Sequence, residues 1–370
     1  MRIVALTTWF PDAVAPSTAP FNLNHVQAVA AEHEVHVIHV RLGGRGAVVR
    51  EEFGGVAVTR LPLSPKKPWS YLAVARTLAG ALNQADVLHT MAFTSAAVAA
   101  PVMAFRKKPW VHTEHWSGMA DPASVSKLWA AFSLLRYVLK LPGAVTAVST
   151  AQAADLARFA RPGAMHVVPN VVDVQATLAA RRGPDDGVVR LVGVGGLIER
   201  KRPGLALEAL RLLRESGINA SLTWVGDGPL RAELEAASHP AGLADAFTIT
   251  GMVAPERVTE ELRKADVFIL PTRHETFCVS AAEAVAAGLP AVVSELPAVR
   301  DFLTARNSVL VHGDSATDFA DGVREAIQRF STVSSADIAA TIGASLGRAA
   351  IGAKFSSIYA GVTARSKHGS

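Results

Sequence analysis

Short apolar runs alternate with stretches of helical period along the whole chain, and the alternation comes as two series that start alike. Arg2-Ile3-Val4-Ala5-Leu6 opens the first, and Val188-Val189-Arg190-Leu191-Val192-Gly193-Val194-Gly195 opens the second. Each opening run gives way to polar, Gly- or Pro-containing residues and then to a helical pattern. Further runs lie at 35–40, 56–61, 87–89, 110–113, 145–149 and 165–168, and then at 222–225, 247–250, 267–270, 291–294 and 308–311. Between them, stretches such as 205–215, 231–237 and 256–264 carry apolar residues at helical spacing. Strands alternating with helices imply parallel sheets covered on both faces. The expected fold is α/β, with two Rossmann-like domains over 1–175 and 188–345 whose parallel sheets face a central cleft. The polar, turn-rich stretch 181–187 is the predicted linker. At 370 residues the chain is long enough for two cores.

Composition removes several other classes. Half of the residues are hydrophobic and 19% are charged, which argues against disorder and coiled coil. The single cysteine, Cys278, can form neither an internal disulfide nor a structural zinc cluster, so a reducing, cytoplasmic setting is expected. The first run turns polar at Thr7-Thr8, too soon for a signal-peptide core. The longest apolar stretch, 96–105, carries Pro101 and falls short of the ~20 residues a membrane helix needs. Charge is uneven: residues 1–175 hold 16 Lys and Arg against 10 Asp and Glu, whereas 176–370 hold 21 against 22. A basic first half favours an anionic partner (a phosphate-bearing acceptor, acidic lipid or nucleic acid) or is simply a solvated face. Residues 126–141 read as an amphipathic helix, with Trp129, Ser133, Arg136, Tyr137 and Lys140 near one face and Leu128, Phe132, Leu135 and Leu139 near another. Such a helix is either a core helix with a wet edge or a peripheral contact with the inner membrane face.

In a doubly wound domain, ligands bind beyond the carboxyl ends of the strands. A dinucleotide fingerprint is disfavoured, because Ile198 stands where the third glycine after Gly193 and Gly195 belongs. No phosphate loop ending in Gly-Lys-Ser/Thr occurs, and 313–317 misses the last glycine of a nucleophile elbow. The informative segment is 271–290. It follows the run 267–270; 281–287 is strongly helix-forming, and Gly288-Leu289-Pro290 reads as its stop. The turn around 276–279 then offers free backbone N–H groups at a helix N-terminus, where a diphosphate is stabilised. Glu275 precedes that helix and Glu283 lies two turns inside it. Carboxylates repel phosphates, so their natural partners are sugar hydroxyls. Two acids flanking an anion-binding turn suit a hydroxylated ring on each side of a diphosphate, which describes a nucleotide sugar.

That segment resembles the Glu–seven residues–Glu motif of retaining glycosyltransferases of the GT-B fold, family 4, and the likeness covers nearly the whole chain. Val168-Pro169-Asn170-Val171-Val172-Asp173 is similar to the family's P-N-G-V-D signature, and Gly195-Gly196-Leu197-Ile198-Glu199-Arg200-Lys201 to its G-R-L-x-x-x-K stretch. Residues 225–230 match V-G-D-G-P-L, and 265–271 match A-D-V-F-V-L-P. The resemblance implies that Glu283 binds the donor's ribose and Glu275 the transferred sugar. Thr276, Phe277, Cys278 and Val279 would lie beside sugar and diphosphate. Lys201 would stabilise charge on the departing diphosphate. Gly196 stands where the family has a phosphate-binding arginine, so Arg200 or Arg202 is expected to compensate; Thr276 and Cys278 stand where it often has glycines. The loop 15–21 lacks the glycine the family commonly places there.

In the first domain, 109–117 brings His112, Glu114, His115 and Trp116 to a strand's carboxyl end. His115 matches the family's active-site histidine, with Glu114 and Trp116 on the acceptor side, and His112 reads as a hydrogen-bonded core residue. The cluster lacks zinc-site spacing and the chain has no Asp-x-Asp, which fits chemistry without a metal or cofactor. The resemblance further implies an acceptor-binding first domain, a nucleotide-sugar-binding second domain, and a helix over 346–364 crossing back onto the first, with a tail after about 364. The activity expected is retaining transfer of a hexose from a UDP- or GDP-linked donor to a hydroxyl or amine acceptor, in glycoconjugate, polysaccharide or natural-product biosynthesis. The acceptor would be a small molecule, a glycan or lipid-linked. A non-catalytic nucleotide-sugar or carbohydrate-binding protein is the alternative. A nucleic-acid-binding role is disfavoured by the absence of a recognised motif or dense basic block.

Overall fold

The computed structural model describes every residue except 17, 45, 65, 120–125, 132, 173–186 and 369–370, and only the backbone of 128, 130, 367 and 368. Apart from Gly187, the expected linker at 181–187 lies outside the described residues. The chain forms two compact units, Met1–Val171 with Arg348–Ser370, and Val172–Gly347.

The first unit is built on an eight-stranded sheet of β1 (Arg2–Thr7), β2 (Glu34–Leu42), β3 (Val49–Phe53), β4 (Val56–Leu63), β5 (Val87–Met91), β6 (Trp110–Glu114), β7 (Ala144–Ala147) and β8 (Met165–Val167). The spatial order is β3-β4-β2-β1-β5-β6-β7-β8. All neighbours run parallel except β3 and β4. Alternation sends Val4 and Leu6 into one core layer and Ile3 and Ala5 into the other, which explains why the strand reads as uninterrupted apolar sequence. The second layer is closed by the terminal helix Arg348–His368, whose Ile351, Phe355, Ile358, Tyr359 and Val362 recur at helical spacing and are buried. The helix runs past the point where a tail is expected. The tyrosine hydroxyl meets His89 Nδ1 at 2.7 Å.

The antiparallel β3 is not anticipated. Its residues are mostly exposed and polar, so no apolar run betrays it. The hairpin turns on Gly54 and Gly55, both at positive φ (60° and 78°), as a two-residue hairpin requires. The amphipathic helix expected at 126–141 is also corrected. A short α-helix, Lys127–Ala131, is followed by a 3-10 helix, Ser133–Lys140, and the three-residue period redistributes the faces. Leu139 is buried, Leu134 and Leu135 are exposed, and the Arg136 guanidinium lies 4.3 Å from the Phe159 ring centroid. The side chains of Leu128 and Phe132 lie outside the described residues.

The second unit is a fully parallel six-stranded sheet of β9 (Val189–Val194), β10 (Ala220–Val225), β11 (Phe247–Gly251), β12 (Val267–Leu270), β13 (Ala291–Ser294) and β14 (Ser308–Val311), in the order β11-β10-β9-β12-β13-β14. Helices Pro203–Glu215 and Ala316–Arg329 pack against each other beside it. Each sheet reverses its strand order once, between β1 and β5 and between β9 and β12. These are the switch points at which crevices form beyond the strand ends.

Candidate active site

In the second unit, β9 and β12 pair in register, with Leu191 opposite Val267 and Val192 opposite Phe268, so their following loops emerge side by side. After β9 the backbone passes Gly195 at φ 152°, and a Cβ on neighbouring Gly226 would sit 2.1 Å from the Gly195 carbonyl. Only glycine lets the ends of β9 and β10 approach so closely. The chain then makes a 3-10 turn, Glu199–Lys201, and Arg202 takes a left-handed conformation that leads into Pro203 at the helix start. Lys201 Nζ donates to Glu275 Oε1 at 2.5 Å, and the Thr272 hydroxyl donates to the same oxygen at 2.9 Å. The Lys201 and Glu275 side chains are only 13% and 8% exposed, so the pair is held in a partly desolvated setting.

The two arginines of this turn diverge. Arg202 is committed to structure: its guanidinium donates to the Pro271 carbonyl at 2.5 Å and the Ser294 hydroxyl at 3.3 Å, and pairs with Asp314. Arg200 stays beside the acidic group, donating to the His274 carbonyl at 2.5 Å with Glu275 Oε2 at 3.7 Å. A Cβ built on Gly196 meets nothing closer than 3.8 Å, so space is open where the family places an arginine.

Helix Val279–Ala286 begins at Cys278, which is left-handed (φ 74°, ψ 63°). Of the two residues standing for glycines, only Cys278 demands that conformation. Burial and the nearby Glu275 carboxylate push the Cys278 thiol up to about 12. It is therefore a neutral side chain at neutral pH and not a thiolate nucleophile. Phe277 is buried against Phe302, with ring centroids 4.9 Å apart, and anchors the loop from beneath. The amides of Val279 and Ser280 have no acceptor among the described residues. Glu283 lies on the same helix; its side chain is not fully covered, yet surrounding protein pushes its carboxyl from 4.5 up to about 7. No described residue hydrogen-bonds or ion-pairs with that carboxyl.

In the first unit, β6 is buried throughout. His112 is a core residue, with Nδ1 2.9 Å from the Thr90 hydroxyl and Nε2 3.4 Å from Glu114 Oε2. Glu114 is fully buried, and its Oε1 accepts the amides of His115 and Trp116, both at 2.9 Å. It shapes the turn leaving β6 and does not present its carboxylate outward. His115 follows, with its ring 4.4 Å from Phe21 and 5.1 Å from His25 by centroid. Burial holds His115 well below the usual histidine range and His25 at about 4, so both rings are neutral. Among the described residues, neither ring nitrogen of His115 completes a hydrogen bond, although the Asn170 side chain lies close enough to act on the ring, and His25 Nδ1 and Asn170 Oδ1 have no partner either. Buried polar atoms without partners are uncommon, so these four make the carboxyl end of β6 a candidate site. Trp116 is half-buried, edge-on to Trp9 at 6.2 Å. Nothing in the sequence singles out His25, which is isolated along the chain, whereas Asn170 sits in the Pro169-Asn170 motif.

Among the described residues, no group of three or more His, Cys, Asp or Glu side chains could hold a metal ion. No described helix is long and apolar enough to cross a membrane.

Two family models match: "Glycosyltransferase Family 4" over residues 22–176 and "Glycosyl transferases group 1" over residues 189–329. A 2-deoxystreptamine glucosyltransferase of Streptomyces kanamyceticus is 32% identical over 169 residues, 42% of this chain and 43% of that protein. A GDP-mannose-dependent alpha-(1-6)-phosphatidylinositol dimannoside mannosyltransferase of Mycobacterium tuberculosis is 39% identical over 118 residues, 32% of this chain and 30% of that one. The matched stretches thus span less than half of these relatives. Among solved structures, Anabaena HepE in complex with UDP and glucose superimposes with a TM-score of 0.76 at 15% identity, over 98% of this chain and 100% of that one. Sucrose-phosphate synthase from Thermosynechococcus elongatus gives 0.75 at 19%, over 99% and 100%. With both halves matched in order and two parallel α/β units of this topology, the chain belongs to the family 4 glycosyltransferases and has the GT-B fold.

Proposed function

We propose that the protein is a retaining glycosyltransferase that moves a sugar from a UDP- or GDP-linked donor to a hydroxyl or amine acceptor. The observation that carries this reading is the partly desolvated Lys201–Glu275 pair beside the free amides of the helix start, with the unpartnered Glu283 carboxyl on the same helix. The diphosphate is assigned to Lys201, Arg200 and the amides of Val279 and Ser280, with Gly196 leaving room and the Thr276–Cys278 backbone alongside. Glu283 would accept from ribose hydroxyls and Glu275 from the transferred sugar. As the sugar–phosphate bond breaks, charge grows on the leaving oxygen. A preorganised ammonium and helix dipole then stabilise the transition state more than the bound donor. In a retaining reaction the leaving phosphate takes the acceptor's proton on the face it departs from, which asks for no protein base and no metal.

His115 is assigned to the sugar, as a neutral ring able to donate from one nitrogen and accept at the other. Glu114 acts through it, as a positioning residue. Trp116 is assigned to the acceptor. Relatives are named for transfer to 2-deoxystreptamine, to a phosphatidylinositol dimannoside and to D-inositol 3-phosphate, which supports a ring acceptor bearing several hydroxyls or amines. We assign acceptor binding to the first unit and donor binding to the second, and place the reaction in glycoconjugate, polysaccharide or natural-product synthesis.

The test is a thermal-shift and turnover screen against a panel of UDP- and GDP-sugars. One donor class should stabilise the protein and be consumed. Lys201→Ala and Glu275→Ala should each lower turnover by about two orders of magnitude or more while keeping the wild-type circular dichroism. Wild-type turnover in either variant would remove the assignment.

A further inference from the structure

The first unit contains a cavity of about 650 Å³ at the opposite end of its strands from His115. Lys108 and Pro109 lead into the start of β6, Gly143 into β7 and Ala164 into β8, and all four line it. His115 leaves the far end of β6, and five residues of strand separate the two places by about 16 Å. Whatever occupies this cavity therefore does not touch the groups assigned to the sugar.

Among the described residues, five cations line the cavity, Arg106, Lys107, Lys108, Arg161 and Arg365, and no aspartate or glutamate does. Their hydrogen bonds go to neutral oxygens. Arg106 donates to the Asn83 side chain at 2.5 Å, Lys108 to the Ala85 carbonyl at 2.8 Å, and Arg365 to the Gly143 carbonyl at 3.3 Å. Arg161 donates to the carbonyls of Lys140 at 2.5 Å and Leu141 at 3.2 Å. Lys107 has no partner among the described residues. Arginines of the second unit behave differently: Arg211, Arg231, Arg324 and Arg329 each pair with a carboxylate one helical turn away. The positive charge at the cavity is thus oriented by carbonyls but not neutralised. A guanidinium fixed this way keeps its remaining N–H groups aimed and bonds phosphate in a fork at little entropic cost. The buried Trp110 and Val362 give the cavity an apolar floor. The volume falls in the range that encloses a small organic ligand rather than a bare ion.

We propose that this cavity binds the phosphate group of a phosphate ester, free or as a lipid headgroup, at a site separate from that of the sugar donor. The proposal is independent of the reading of the donor residues, because binding is read without any donor present. Calorimetric titration of the full-length protein with glycerol 3-phosphate tests the free ester. Co-sedimentation with phosphatidylglycerol–phosphatidylcholine vesicles, against phosphatidylcholine alone, tests the headgroup. Binding of at least one probe should weaken about tenfold in Arg161→Glu/Arg365→Glu and several-fold in Lys107→Glu, and remain unchanged in Lys201→Ala. Lys107 makes no contact that the fold needs, so it carries the test if the double variant misfolds. Binding of the soluble ester identifies a small-molecule site, and binding of vesicles alone identifies a headgroup site. The proposal is overturned if neither probe distinguishes Lys107→Glu from wild type, or if Lys201→Ala alone abolishes binding.

Discussion

Arg200 and Arg202 stand two residues apart in one motif, and only backbone geometry separates their roles. Arg202 is left-handed, and its side chain turns under the sheet's end to bind Pro271, Ser294 and Asp314. Arg200 remains over Glu275. No spacing rule distinguishes them in sequence. Glu283 lends itself to a direct measurement. Its carboxyl titrates near 7 in the fold against 4.5 ordinarily, so the folded protein binds more protons than the unfolded chain between those values. Stability attributable to this group therefore falls as pH rises from about 4.5 to 7. Glu283→Gln removes the liability, by up to roughly 3 kcal/mol if the whole shift is realised. Urea midpoints of variant and wild type should lie close together at pH 5 and separate by pH 8, with the variant higher. A gap that stays constant across that range would mean the carboxyl is not held protonated by the fold.

At the level of elements, the strands legible in sequence are those covered on both faces, such as β1 and β12, whose runs are apolar at nearly every position. β3 escapes because an exposed edge strand keeps charge for solubility, and only Gly54-Gly55 hints at its hairpin. The 3-10 segment at Ser133–Lys140 escapes because period 3.6 and period 3 place the same leucines differently, and tertiary packing decides between them. The residues assigned to the donor are legible because Glu275 and Glu283 lie on one local stretch. His25 meets His115 only through the fold, ninety positions apart in sequence. The terminal helix depends on a close approach that its small residues permit: a Cβ at Gly352 would sit 2.5 Å from the Ala28 carbonyl, which is backbone and cannot swing away. Gly352→Val should therefore cost about 1–3 kcal/mol in chemical unfolding, despite the better helix propensity of a residue with a side chain. Wild-type stability in that variant would show that the helix does not seat there.

Across the whole molecule, titratable groups divide between the units in a way that gives the two halves opposite responses to pH. Burial lowers His25 and His39 to about 4 and holds His89 and His115 well below the usual range, and all four belong to the first unit. A histidine kept neutral by the fold binds fewer protons there than when unfolded. The stability it contributes is full above 6.5 and is lost as pH falls from 6.5 towards 4. Glu283 belongs to the second unit and works in the other direction over an overlapping window. Five of the six tryptophans, Trp9, Trp69, Trp110, Trp116 and Trp129, also belong to the first unit, so their fluorescence reports mainly on it. Between pH 7 and pH 5 the fluorescence-monitored thermal midpoint should fall. Calorimetry should then resolve a second transition that holds or rises, because only the unit carrying the buried histidines takes up protons on unfolding. A single transition moving identically by both methods would mean that the halves unfold as one body, and the histidine contribution would have to be sought in the slope of its pH dependence alone. That slope should reach several kcal/mol across these two pH units, since each histidine shifted from 6.5 to about 4 supplies about 2 kcal/mol of it. A midpoint independent of pH from 7 to 5 would contradict the neutral, buried state of the cluster on which the His115 assignment stands.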